Sequence, residues 1–431
     1  FTQARAFRAS SSSIQGGWPG GLRMCASNEG LLRPRVARTK ETTRPHSPLL
    51  PFDFNFPSHY NSPVASQFVH LHLHTQYSLL AGANQIDPLM QQVKSFGQPA
   101  VAMTDHGNMF GAVEFYRKAK EAGVKPIIGC EAYMAPGSRL EKNSHLAHND
   151  YYHLILLATN LKGYQNLIKL VSKAYLEGFY YKPRMDKEIL QQHHEGLIGL
   201  SGCLSGEVAY LIGQKDLEGA TKAAGEYREI FGKDNYYLEL QANGLEHQRI
   251  ANDGLLEIHK KLGIPLAGTN DCHYLKKEDS RPHDLMLCLQ TGKTINDPNR
   301  MKFDTDQLYV KSTEQALSEF KEMPTAVSNT VKIAEACTLD LALNKTYLPQ
   351  FKVPEGYTRE SYVEQLALEG LTARLKERPS SIPEIAYQVR LKEEVAVICS
   401  MGFAGYFLIV WDIIKFARSR GIPVGPGRGS A

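Results

Sequence analysis

Between Phe68 and His74 the chain alternates Val69, Leu71 and Leu73 with His70, His72 and His74. Extended chain sends successive side chains to opposite faces. The alternation therefore predicts a strand with one apolar face and one face of three imidazoles. Packing rarely needs such a face, whereas preorganised nitrogen ligands for Zn²⁺ or Mn²⁺ explain it. A lone histidine is more often structural. Two further pieces change the balance, Thr104-Asp105-His106-Gly107 and Asn270-Asp271-Cys272-His273, each at the end of a strand-like apolar run.

Strand-like runs occur at Phe68–His74, Pro99–Thr104, Lys125–Tyr133, Tyr151–Ala158, Gly196–Ser201, Asn235–Gln241 and Ile264–Thr269. Helical spacing of apolar residues marks Ala112–Ala122, Tyr164–Leu176, Leu217–Phe231 and Leu245–Leu262. Alternating β and α units of this length predict a parallel sheet, and seven of them predict a closed or nearly closed α/β barrel. Such barrels gather their chemistry at the C-terminal ends of strands, where Asp105, His106, Cys203, Asp271 and His273 fall. Glu131, late in its strand, is an oxygen donor suited to bridging two cations. Cys203 offers a thiolate to zinc, although a small buried cysteine is the commoner reading of that residue alone. His153 begins its strand rather than ending it, which suits a barrel mouth less well. The N, O and S donors outnumber the needs of one tetrahedral ion, implying a cluster of two or three. Paired cations suit in-line hydrolysis of phosphate esters.

The 431 residues leave room for two or three domains, and a net charge of +4 neither requires nor excludes a nucleic-acid partner. Seven cysteines without a CxxC pair suit a reducing cytoplasm better than a disulfide framework. The apolar run from Phe403 to Trp411 falls far short of the roughly 20 residues that span a bilayer, so no membrane partner is expected. Residues 1–67 differ in composition, with a serine run at Ser10–Ser13, abundant arginine, few acids and a proline-rich stretch from Pro45 to Pro63. They are expected to be a disordered or non-native leader. Their composition resembles a transit peptide, but untranslated upstream sequence or a fragment boundary is the simpler expectation.

The motifs His72-x-His74-Thr75, Thr104-Asp105-His106-Gly107, Glu131, His153, Cys203 and Asp271-x-His273 resemble the polymerase and histidinol phosphatase (PHP) metal-dependent phosphoesterase domain. The match is closer to one setting of it, the family C replicative polymerases, the bacterial DNA polymerase III alpha subunits. Phe110-Gly111-Ala112-Val113-Glu114-Phe115-Tyr116, Gly163-Tyr164-Gln165-Asn166-Leu167, Lys173–Phe179 and Met401–Val410 carry that resemblance, which extends over about 68–431. It implies a PHP-type distorted (β/α)7 barrel over 68–285, then a mainly helical segment over 286–431 that opens the polymerase palm. It implies His72, His74, His106, Glu131, His153, Cys203, Asp271 and His273 as ligands of a di- or trinuclear cluster, with His70 and Asp105 supporting them. Some members proofread by 3′–5′ exonuclease action; in others the domain only holds the polymerase and a separate exonuclease subunit. One departure stands out. Where the family has Leu-Leu-Asp-Gly-Ala, this chain has Leu79-Leu80-Ala81-Gly82-Ala83, and Ala81 cannot ligate.

Farther on, Leu391, Val395 and Ile398 share one helical face and Val410, Trp411 and Ile414 another, both read as core packing. The loop Gly425-Pro426-Gly427-Arg428-Gly429-Ser430 suits an anion, through close backbone N–H groups, the Ser430 hydroxyl and the Arg428 fork. It resembles the start of the palm, which implies Arg428, Gly429 and Ser430 as contacts to an incoming nucleotide's triphosphate. Lys415, Arg418, Arg420 and Arg428 are candidates to meet nucleic acid, with a solvated helix end an equal reading of the first three. The resemblance also implies Mg²⁺ for polymerisation, template-primer DNA and dNTPs as substrates, and a sliding clamp, clamp loader and exonuclease subunit as partners. The family's catalytic aspartates fall beyond Ala431. Two rival readings remain, a free-standing PHP phosphoesterase and a purely structural docking barrel.

Overall fold

A computed structural model describes residues 67–142, 151–343, 345, 347, 349–378 and 380–425. The leader and the loop residues Arg428, Gly429 and Ser430 lie outside the described residues. Eight strands are formed among the described residues: β1 (Ala100–Met103), β2 (Lys125–Met134), β3 (Tyr152–Ala158), β4 (Phe179–Tyr180), β5 (Lys182–Met185), β6 (Leu197–Leu200), β7 (Tyr236–Gln241) and β8 (Leu266–Thr269). Hydrogen bonding runs in the order β4-β5-β2-β3-β6-β7-β8, with β1 on the first half of β2. Residues 68–74 close the ring. They bond β1 through Ala102 N to His70 O, and the end of β8 through His74 N to Cys272 O and Cys272 N to His72 O. The result is a distorted α/β barrel of seven staves, wrapped by helices such as Ile86–Ser95, Ala112–Ala122, Leu161–Leu176, Leu217–Phe231 and Glu246–Leu262.

Two expectations need correction. The sheet is not wholly parallel: β3 runs antiparallel to both β2 and β6. No helix among the described residues separates β2 from β3, and antiparallel pairing needs no helical crossover, which parallel pairing would require. This reversal also accounts for His153. On an antiparallel stave the first residues lie at the end where the parallel staves finish, and His153 pairs in register with Tyr133 near the end of β2.

The second correction concerns 68–74, where the two-residue period slips between Leu71 and His72. Val69 and Leu71 pack with Ile127, Ile155 and Ile198, while His72 and His74 face Glu131. Leu73 packs instead with Ile86 and Leu89 of a flanking helix. A bulge of this kind leaves regular ladder bonds unmade. Hydroxyls fill in: Val69 N donates to Thr330 Oγ1 and Leu73 N to Thr104 Oγ1. His70 therefore does not share the face of His72 and His74.

The chain after β8 continues to cover the barrel. Tyr274 bridges Tyr309, and helix Pro324–Ala336 contributes Val331, Ile333 and Ala334 to the cluster that holds Val69 and Ile127. Helices Arg359–Glu377, Glu384–Ser400 and Ala404–Ser419 form a separate cluster around Val363, Ala404 and Leu408. Of the six stripe residues expected in a core here, only Val395 is buried. No single helix among the described residues is long and apolar enough to cross a membrane; the pair 384–400 and 404–419, bent by 114°, meets that test jointly by length and composition alone.

Candidate metal centre

The eight side chains singled out as ligands converge at one end of the barrel. His72 Nε2 lies 3.2 Å from Glu131 Oε1 and 3.2 Å from Asp271 Oδ1. His74 Nε2 lies 3.4 Å from Glu131 Oε2 and 3.2 Å from Asp271 Oδ1. His106 Nδ1 stands 2.6 Å from Glu131 Oε2 and His153 Nδ1 2.8 Å from Glu131 Oε1. His273 Nδ1 is 3.3 Å from Asp271 Oδ1. Cys203 Sγ completes the set, 3.6 Å from His153 Nδ1 and 3.8 Å from Glu131 Oε1. Three overlapping groups have all their donor atoms within 4.8 Å of one another: His74, His106 and His273; His72, His74 and Glu131; His106, Glu131 and His153.

Local backbone delivers these groups. Gly107 takes φ +62° just after His106 and ends the β1 turn. Asp271 adopts φ +49°, an uncommon conformation that aspartate tolerates better than bulkier residues. Its own carbonyl lies 3.0 Å from His273 Nδ1. Strained backbone at a cluster of polar side chains is typical of functional sites.

The donor atoms fit a cation. Nε2 of His72, Nε2 of His74, Nδ1 of His106, Oε2 of Glu131 and Oδ1 of Asp271 are all buried and have no hydrogen-bond partner outside the cluster they form with one another. Each unmet buried polar group costs about 1–3 kcal/mol, so five lone pairs aimed at one another would be costly without positive charge among them. Burial opposes ionisation of Glu131, but the imidazoles of His153, His106 and His72 outweigh it and hold the carboxyl well below the usual range. Asp271 behaves likewise: burial opposes its ionisation, and His72 and His273 lower it. Burial pushes the pKa of His74 well down, helped by His106 and His273. Its neutral form is the one that ligates metal.

Hydrogen bonds behind these atoms fix which nitrogen is free. Asp105 accepts from Thr75 N, Thr75 Oγ1 and Ser78 Oγ at 2.6, 2.7 and 2.9 Å. Ser78 Oγ thus spends its proton on Asp105, and His74 Nδ1, 3.0 Å away, donates to it. That leaves His74 Nε2 as the lone pair. Glu239, absent from the expected set, does the same for His72, its Oε1 lying 2.6 Å from Nδ1. Thr269 Oγ1 and Gln241 Nε2 also donate to Glu239 Oε1. A carboxylate behind a ligating histidine both orients the ring and raises its basicity. The signal for Glu239 was a carboxylate inside the otherwise apolar strand Tyr236–Leu240. His70 stands apart: Nε2 meets Lys311 O at 2.9 Å and Nδ1 meets Cys272 Sγ at 3.3 Å. Burial lowers its pKa to about 4. Ala81 contributes only backbone, its carbonyl lying 2.7 Å from Nε2 of the buried His283.

Two family models match the chain: a PHP domain over residues 70–243 and a bacterial DNA polymerase III alpha NTPase domain over residues 361–431. Curated relatives named DNA polymerase III subunit alpha resemble it at length. The protein of Treponema pallidum is 47% identical over 364 residues, 84% of this chain and 31% of the relative. That of Borreliella burgdorferi is 46% identical, covering 85% and 32%, and that of Thermus aquaticus 42% identical, covering 85% and 35%. Over 84–85% of its length the chain is similar to these DNA polymerase III alpha subunits. It spans about a third of the length of these relatives. Six of the eight converging donors, from His72 to Cys203, lie within the PHP match, and Asp271 and His273 follow it in sequence.

Proposed function

We propose that the PHP barrel binds two or three divalent ions, Zn²⁺ or Mn²⁺, and hydrolyses phosphodiester bonds as a 3′–5′ proofreading exonuclease within a DNA polymerase III alpha subunit. The carrying observation is the set of five buried donor atoms on His72, His74, His106, Glu131 and Asp271 that face only one another. His72, His74, His106, Glu131, His153, Cys203, Asp271 and His273 are the ligands in this reading, and Glu131, within reach of four imidazoles, is the bridging carboxylate. Asp105, through Ser78, and Glu239 hold His74 and His72 in the tautomers that ligate. His70 supports the centre only through Cys272. Bound divalent ions supply activation of water and neutralisation of charge at a phosphate ester.

The whole protein, in this reading, carries out template-directed DNA synthesis in the cytoplasm, using Mg²⁺, a template-primer and dNTPs, with Arg428, Gly429 and Ser430 at the nucleotide's triphosphate. A sliding clamp, a clamp loader and a separate exonuclease subunit are its partners in the same family reading. The metal-binding unit is proposed to reach about residue 340 rather than 285, because Val331, Ile333 and Cys337 pack inside its core. The polymerase match at 361–431 weighs against a free-standing phosphoesterase.

The test is a time course on 5′-labelled single-stranded DNA. Shortening from the 3′ end that needs Mn²⁺ or Zn²⁺, and that Asp271→Asn abolishes, is the expected result. An uncut strand under metal-replete conditions would leave the barrel as a docking module.

A further inference from the structure

The β4–β5 hairpin stands beside the metal centre, and none of its side chains has a part in the arrangement above. Tyr181, the single residue between the two strands, is 69% exposed and takes φ +58°. That backbone is uncommon for a bulky aromatic residue, and the ring leans edge-on against Tyr180 at 4.6 Å while most of it stays open to solvent. Lys182 follows it. Its ammonium is half-buried, 5.3 Å from the centre of the Tyr133 ring, and no carboxylate among the described residues pairs with it. Neighbouring cations are engaged: Arg184 donates to Glu141 O and lies over Tyr180, and Lys187 pairs with Glu207 and Glu226.

Tyr133 joins this hairpin to the centre. It shares a face of β2 with Glu131, and its ring centroid lies 6.1 Å from that of His106 and 5.3 Å from that of His153. A Cβ at Gly107 would come within 2.8 Å of the Tyr133 ring and 3.0 Å of Pro183. The turn that presents His106 is therefore packed directly on the hairpin. Lys182 is thus joined to the ligand shell through Tyr133, and the exposed Tyr181 precedes it in the chain.

We infer that this hairpin is the strand-binding subsite of the centre, Lys182 holding a phosphate of single-stranded DNA and Tyr181 stacking on its terminal unpaired base. Proteins that take single strands combine such a cation with such a ring, because every base has a π-face and every linkage a negative charge. The inference rests on the phosphodiesterase reading above and assigns the part of the site that grips the strand.

The test titrates the 431-residue chain into a fluorescent single-stranded oligodeoxynucleotide of about a dozen nucleotides, its last linkages phosphorothioate to slow cleavage. Lys182→Gln should weaken binding about tenfold and lower the salt-dependence slope by about one. Tyr181→Gly should weaken it about tenfold while thermal stability holds or rises, since glycine accepts φ +58° freely. Tyr181→Phe should bind like the parent. Metal content, measured in parallel, should be the same in all four proteins. Parent-like affinity in both Lys182→Gln and Tyr181→Gly, or no strand binding by the parent, overturns the subsite. A parent that holds no metal yet loses affinity in these variants supports the subsite and contradicts the catalytic reading instead.

Discussion

In the barrel even ionisable side chains are sealed from water: His72, His74, Glu131 and Glu239 expose no surface. Across the three helices of 359–419 only Val363, Val395, Ala404 and Leu408 are buried, while Ile385, Val389, Val397, Ile413 and Phe416 stand more than half exposed. Both regions break the rule that apolar groups go inside and polar ones outside, in opposite directions. A buried polar group is tolerated when something satisfies it. An exposed apolar patch marks a surface that meets another. The barrel's exception is a sealed cluster of donor atoms, and the helices' exception is an apolar face left open among the described residues.

The contrast is most easily broken at the ligands. His72→Ala and Asp271→Asn should each leave less than one ion per chain by elemental analysis. They should lower the melting temperature by roughly 5–10 °C, because metal-binding energy is folding energy and about 1 kcal/mol moves a domain of this size by 2–4 °C. Parent-like metal content in both variants would show that other residues hold the ions. Glu239→Gln keeps the shape behind His72 but removes the charge, so metal affinity should fall about tenfold, with more lost in Glu239→Ala. Calorimetric titration with Mn²⁺ measures this, and an unchanged affinity would reduce Glu239 to a packing residue.

Restoring a carboxylate tests the one departure from the family pattern. Ala81→Asp should tighten binding of one ion by up to about tenfold, provided the groups around it still accommodate the acid. Equal stoichiometry and affinity in parent and variant would mean the turn only tolerates a small residue. The smallest effect is expected in the helices. Ile413→Glu or Phe416→Glu should change stability by no more than about 0.5 kcal/mol, since neither side chain has a core to leave. A loss of several kcal/mol on chemical denaturation would show that these faces are covered after all.

The chemistry was more legible in the sequence than the geometry. Imidazole and carboxylate at strand ends carry their meaning in residue type and spacing, which is why His72, His74, His106, Asp271 and His273 stand out in the linear chain. His153 looked misplaced only because the direction of β3 is a tertiary fact that no local pattern encodes. The slip at Leu71–His72 was hidden for a similar reason, since the Thr104 and Thr330 hydroxyls that accommodate it come from distant segments. Glu239 became visible only when the register of β7 brought it behind His72. The β4–β5 hairpin is too short to show any period. In the helices the apolar stripes were readable, but whether a stripe finds a core depends on what packs against it.

Anomalous diffraction from crystals of the chain grown with Mn²⁺ tests the central claim most directly. Two or three peaks are expected among the donor groups of His72, His74, His106, Glu131, His153, Cys203, Asp271 and His273, within bonding distance of their nitrogen, oxygen and sulfur atoms. Ordered water in their place, with imidazoles and carboxylates paired only to one another, would contradict it.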